Sequence, residues 1–180
     1  MDFIPFNKIA RMSRQCTITE KLDGTNACIA IGDNGEFFIG SRNRWITPDD
    51  DNYGFAKWAT DNKQELLKLG PGRHYGEWWG AGIQRRYSIG EKRFSLFNTA
   101  RWQVEPPPSC CHVVPVLYSG IFTSTAADEA IELLRKNGSV ASPGFMNPEG
   151  IIIYQAAARM YFKKTCVKDE EHKGQERHAA

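Results

Sequence analysis

The chain has 180 residues, 41% of them hydrophobic and 24% charged, with a formal net charge of +2. That length suits one domain that buries a core without staples, and the charge excludes a polybasic coat while allowing a local basic groove. The longest apolar runs are too short to span a bilayer, so no membrane partner is expected.

The apolar, Pro-broken start Phe3-Ile4-Pro5-Phe6 reads as a packed lead-in rather than a helix. Thr17 to Lys21 reads as a strand that runs into the turn signal Leu22-Asp23-Gly24. Asn26 to Ile31 reads as the return strand. Asp33-Asn34-Gly35 is a second turn and Glu36 to Gly40 a third strand, so the opening predicts an antiparallel meander. A helical face follows between Tyr53 and Leu69, carried by Phe55, Trp58, Ala59, Leu66, Leu67 and Leu69. Arg73 to Trp79 is strand-like and ends in Gly80-Ala81-Gly82. Trp78 and Trp79 would alternate faces there, so at most one faces a cleft. Arg93 to Asn98 is a further strand, and Glu105 to Ser109 a Pro-rich extended loop. Cys110-Cys111-His112 lacks a matching second pair and reads as a loop with thiols rather than a zinc site. A second helix is expected over Ala126 to Lys136, capped by Ser124 or Thr125 and ended by Gly138. Gly150 to Tyr154 is a strand, and the polar tail from Val167 is expected to fray after Gly174. Five cysteines, an odd count, with no signal peptide at the start, point to a reduced, cytoplasmic protein. The fold expected is sheet-rich α+β.

The segment Glu20-Lys21-Leu22-Asp23-Gly24 carries the strongest chemical signal. A lysine at the end of a strand, just before a turn, sits on a rigid platform. Its amine, with a reference pKa of about 10.4, attacks only when deprotonated, so cations or burial must assist. Asp23 would hold the turn and Gly24 would permit the bend. A lone Lys-x-Asp-Gly is commonly a surface hairpin. Here it is followed in order by Ser41-Arg42-Asn43-Arg44 and by Tyr75-Gly76-Glu77-Trp78 with Gly80-Ala81-Gly82-Ile83-Gln84. Phe94-Ser95-Leu96-Phe97, Pro148-Glu149-Gly150-Ile151-Ile152 and Tyr161-Phe162-Lys163-Lys164 complete the series.

This series resembles motifs I, Ia, III, IIIa, IV and V of the covalent nucleotidyltransferases, and the Gly-Glu-x-x-Gly-x-Gly-Ile-Gln pattern at the third motif looks most like their RNA ligase branch. The resemblance runs from Thr17 to about Lys173. It implies an antiparallel-sheet-rich nucleotidyltransferase (ATP-grasp-like) domain with flanking helices, with ATP and Mg²⁺ as cofactors. By resemblance, Lys21 attacks the α-phosphorus of ATP and carries AMP. Arg42 binds the ribose or a substrate 5′-phosphate, and Glu77 contacts the ribose. Phe97 stacks on the base. Glu149 supports metal or water near the phosphates. Lys163 contacts the α-phosphate, and Glu20 helps read the adenine edge. These residue types suit phosphoryl transfer, which rests on positioning and charge neutralisation. Arg44 is as plausible an anchor as a phosphate contact, and His74 reads as a strand residue rather than a ligand.

Two features depart from the family pattern. Motif V usually holds two lysines one residue apart, whereas here Lys163 and Lys164 are adjacent and Thr165 stands in the second place. Adjacent strand residues point to opposite faces, so Lys163 acts alone or Tyr161 fills the other position. The residues after motif V are also too few for an OB-fold clamp, so 1–180 is expected to be a single adenylyltransferase domain. The run Lys168-Asp169-Glu170-Glu171-His172-Lys173 adds substrate contacts or is solvated surface. The expected activity is ATP-dependent joining of a 5′-phosphate to a 3′-hydroxyl of a nucleic acid, RNA rather than DNA, with an accessory protein as a further partner. The alternatives are a DNA ligase, a GTP-using capping enzyme, or a non-catalytic module that binds nucleic-acid ends.

Overall fold

The strands β1 (Gln15–Lys21) and β2 (Thr25–Ile31) are neighbours in sequence yet lie in different sheets. This is seen in a computed structural model that describes residues 1–7, 9–167 and 169. The remaining strands are β3 (Phe37–Ser41), β4 (Gly72–Gly80), β5 (Lys92–Leu96), β6 (Cys111–Val113), β7 (Val116–Ile121), β8 (Gly150–Gln155) and β9 (Met160–Thr165). One sheet has the order β7-β1-β8-β9 and is antiparallel throughout. The other has the order β3-β2-β4-β5-β6 and is antiparallel except for the β5–β6 pair. The α+β, antiparallel-rich expectation holds.

The expected opening meander does not. Only its second half, β2 to β3 across the turn at Gly35, is a hairpin. Leu22-Asp23-Gly24 is a crossover between sheets, because β1 finds its partners in β7 and β8, far along the chain. Gly24 serves close approach rather than a bend. A Cβ there would lie 2.3 Å from the Trp78 carbonyl oxygen and 2.7 Å from Trp79 Cβ, so only glycine lets the crossover lie on β4.

Each sheet buries one face. Helix α4, defined below, covers the first; the second is covered by α1 (Phe55–Asp61) and α2 (Lys63–Leu66) with a 3-10 turn at Leu67–Leu69. The single helix expected over Tyr53 to Leu69 is broken at Asn62, whose side chain donates to the Trp58 carbonyl and whose backbone leaves helical geometry. Phe55 packs with Trp58, Trp78 and Phe94, with centroids 5.1–5.6 Å apart. A short α3 (Thr99–Trp102) is capped by Asn98. Helix α4 (Ser124–Asn137) is capped by Thr123, one residue before the expected cap, through a bond accepted from the Ala126 N–H. Its Ala126, Ala127, Ala130, Ile131 and Leu134 pack on Cys16, Ile18, Ile151 and Ile153 of β1 and β8.

Other expectations shift as well. Cys111 and His112 lie in β6, not a loop. Phe3, Ile4 and Phe6 are exposed rather than packed. The Lys168 and Glu170 to Lys173 part of the charge run, and the tail after Gly174, fall outside the described residues. Among the described residues no helix is long and apolar enough to cross a membrane.

Candidate active site

The uncovered faces of the two sheets enclose a cleft of about 1620 Å³. Strand alternation and register decide what faces it. In the first sheet, Lys21 lies opposite Gly150, which lies opposite Thr165. The next row is Thr19, Ile152 and Lys163, and the row after it Thr17, Tyr154 and Tyr161. All of these except Gly150 line the cleft. Gly150 has φ +155°, and a Cβ there would lie 2.2 Å from the Lys164 carbonyl oxygen, so the row beside Lys21 admits no side chain at its centre.

From the second sheet, β4 presents Arg73, Tyr75 and Glu77 to the cleft, while Trp78 faces the opposite core. Trp79 is also sealed, against Leu22, Tyr87 and Val114, so neither tryptophan lines the cleft. Phe97, just past β5, is 37% exposed on the wall; it is not a core residue. Arg42, just past β3, is exposed on the same wall. Arg44 is an anchor, paired with Asp50. His74, part of β4, is held by the Gly70 carbonyl at 2.8 Å, and burial lowers its pKa.

Lys21 Nζ lies 2.5 Å from Glu149 Oε2; the lysine side chain is 21% exposed and the glutamate 1%. Glu77 accepts from the Gly24 N–H and from Asn26 Nδ2, both at 3.0 Å. Burial pushes its carboxyl up to about 7, against the pull of the Asn26 bond and the Lys21 charge. Asp23 is paired with Arg85, Nε to Oδ2 2.9 Å. The sequence series therefore converges: Lys21, Asp23, Gly24, Arg42, Glu77, Phe97, Glu149 and Lys163 all border one space.

Glu20 borders the same space, but one of its carboxylate oxygens is engaged on the far side of β1. It leaves β1 on the α4 side, and its Oε2 accepts the backbone N–H groups of Val140 and Ala141, each at 2.9 Å. The residue is 1% exposed, and these two bonds brace the loop before β8. The ladder separates the two motif V lysines. Tyr161, Lys163 and Thr165 share the cleft face, and Lys164 turns away to Asp128 of α4. Thr165 stands where the second motif V lysine would fall, its N–H and hydroxyl engaged with Asp169 and the Val167 carbonyl.

Sequence reasoning missed Arg85, Asn26, Tyr87 and Ile152. Ile152 was reachable from alternation once Glu149-Gly150 was placed at a strand start. The others owe their roles to partners more than 50 residues away.

Among the described residues no group of three or more His, Cys, Asp or Glu side chains could hold a metal ion. The acids near Lys21 suit Mg²⁺ held mainly by phosphate oxygens and water, with a single carboxylate, because Mg²⁺ keeps several waters in such sites.

Comparison with known proteins agrees with this geometry. A family model described as RNA ligase matches residues 14–169. A comparison with curated proteins found no match. Among solved structures, a variant of the Naegleria gruberi RNA ligase with ATP and Mn superposes with a TM-score of 0.61 at 20% identity, covering 86% of this chain and 50% of that one. Another variant of that ligase, with AMP and Mn, gives 0.60 at 20% identity, covering 84% and 49%. The same ligase with PPi gives 0.61 at 20% identity, covering 85% and 50%. The chain thus spans about half the length of these solved proteins.

Proposed function

We propose that this chain, which belongs to the RNA ligase family, is an ATP-dependent ligase that carries AMP on Lys21 and joins RNA ends. The observation that carries this reading is the Lys21 amine, held 2.5 Å from the buried Glu149 carboxylate at the edge of a cleft that Glu77 also borders.

In the first step Lys21 Nζ forms a bond to the α-phosphorus of ATP. The bond from that phosphorus to the bridging oxygen breaks, and pyrophosphate leaves. The amine must lose its proton to attack, and the Glu149 carboxylate orients it. Lys163 and Arg42 carry positive charge toward the phosphates, Lys163 as a point charge and Arg42 as a fork. Glu77 accepts a ribose hydroxyl. Phe97 and Ile152, on opposite walls, give the base apolar contact. Glu149 would be the protein ligand of Mg²⁺, which would supply charge neutralisation on the phosphates. In the second step AMP moves to a 5′-phosphate end, and in the third a 3′-hydroxyl attacks that end and releases AMP. Solved relatives that hold ATP, AMP and PPi support a reaction that consumes ATP and releases AMP and pyrophosphate. Residues 1–180 act as one adenylyltransferase unit.

The experiment is side-by-side sealing of nicked RNA and nicked DNA duplexes with ATP or GTP. Sealing of the RNA nick with ATP supports the proposal. Labelling with GTP alone points to capping chemistry, and sealing of DNA alone points to a DNA ligase.

A further inference from the structure

The loop between β4 and β5 binds both chain ends that leave the Lys21 row. Lys21 and Gly150 end β1 and begin β8 side by side. Two residues past Lys21, Asp23 takes the Arg85 Nε–H at 2.9 Å. Two residues before Glu149, Asn147 takes the Arg85 Nη1 donors on both its side-chain oxygen, at 2.8 Å, and its carbonyl, at 3.2 Å. One guanidinium from the second sheet therefore grips the segment after the lysine and the segment before the glutamate. A planar fork suits this task, because its donors diverge in fixed directions.

The residues that follow hold the loop that carries Arg85 in place. Tyr87 is fully buried; its hydroxyl accepts the Asp23 N–H at 2.8 Å and its carbonyl accepts Ser142 Oγ at 2.7 Å. Its ring packs on Trp79 and Phe145 at 4.8 and 4.7 Å. Gln84, Arg86, Tyr87 and Ser88 have φ of 43, 60, 49 and 54°. Such left-handed backbone at non-glycine residues is costly and persists where surrounding contacts enforce it.

We propose that Arg85 is a positioning residue that sets the Lys21–Glu149 pair at its working distance from the second sheet, by tying Asp23 and Asn147 to the β4–β5 loop. The proposal rests on adenylylation of Lys21 as read above. Arg85 borders the cleft, but its Nε and Nη1 donors are taken by Asp23 and Asn147, so its effect reaches the reaction through the placement of Lys21 and Glu149. A misplacement near 1 Å of a reacting group costs on the order of a hundredfold in rate.

The test compares the intact chain with Arg85→Ala, Arg85→Lys, Asn147→Ala and the double variant Arg85→Ala/Asn147→Ala. Arg86→Ala is the control for loss of one exposed loop charge. Two readouts are taken: the rate of self-adenylylation against ATP concentration, and the rate at which a small amine-acylating reagent modifies Lys21, followed by mass spectrometry. The proposal predicts a fall of roughly 10- to 100-fold in the maximal rate for Arg85→Ala, with the half-saturating ATP concentration nearly unchanged. Arg85→Lys, which keeps charge but not the fork, recovers part of the rate. Asn147→Ala gives a smaller fall, and the double variant falls no further than Arg85→Ala. Lys21 is acylated several-fold faster in Arg85→Ala than in Arg86→Ala. An unchanged maximal rate together with unchanged Lys21 acylation overturns the proposal, as does additive behaviour of Arg85 and Asn147. The acylation arm reads the positioning of Lys21 even if the parent chain takes no AMP, an outcome that would count against the functional reading alone.

Discussion

Lys164 pairs with Asp128, Nζ to Oδ1 2.5 Å, on the face of β9 turned away from the cleft, while its neighbour Lys163 lines the cleft. The two lysines that sequence leaves ambiguous are thus separated by the pleat of one strand. Lys163→Ala is expected to lower self-adenylylation by about a hundredfold, since it removes a cation from a site built on charge neutralisation. Lys164→Ala breaks a partly exposed pair worth at most about 1 kcal/mol, and its adenylylation rate should stay within about threefold of the parent. Equal losses for the two variants would contradict the assignment.

Glu77 gives the protein a pH-dependent stability. Its carboxyl titrates near 7 in the fold, raised by burial from 4.5. Between those values the folded state holds a proton that the unfolded chain has released. Stability therefore falls as pH rises through that window and levels off above the folded value. Glu77→Gln lacks this slope. The stability of the parent relative to Glu77→Gln, from urea unfolding, should drop by on the order of 3 kcal/mol from about pH 4 to about pH 8. Parallel pH curves would place the titration elsewhere.

Gly24→Ala tests the crossover. The added methyl would press on the Trp78 carbonyl and on Trp79 Cβ, both parts of β4 that cannot move freely. A loss of roughly 2–4 kcal/mol is expected in denaturant unfolding, because overpacking against backbone forces strands apart. The bond from the Gly24 N–H to Glu77 would lengthen as well. A variant as stable as the parent would show that the crossover is not held against β4.

Phe97→Ala tests the base-stacking role. Base stacking on an aromatic face is worth roughly 1–3 kcal/mol, so ATP binding measured by calorimetry should weaken by about 5- to 150-fold. Phe97→Tyr should retain affinity. Because Phe97 is 37% exposed, the melting temperature should change little. A large stability loss without loss of ATP affinity would return Phe97 to the core.

Much of this site could be read from the chain because its residues fall in short motifs whose order resembles that of the covalent nucleotidyltransferases. Lys21, Glu77, Glu149, Phe97 and Lys163 were assigned through that resemblance, and they border one cleft. What sequence hid were long-range pairings. Leu22-Asp23-Gly24 looks like a hairpin turn, but the partner of Lys21 is Gly150, and no local pattern announces a ladder 129 residues away. The amide partners of Glu20, Val140 and Ala141, were hidden as well, because they come from a loop with no regular pattern. Arg85 is one arginine beside another, and only the fold shows which of the two reaches Asp23 and Asn147. The helix expected over Tyr53 to Leu69 failed at Asn62, whose side chain competes for the helix carbonyls.

The measurement that bears most directly on the whole account is mass spectrometry of the protein after incubation with ATP and Mg²⁺, with the site of any adduct mapped. An acid-labile gain of one AMP on Lys21, lost in Lys21→Ala, is the predicted result. An adduct on any other residue, or an alanine variant that labels as fully as the parent, would contradict it.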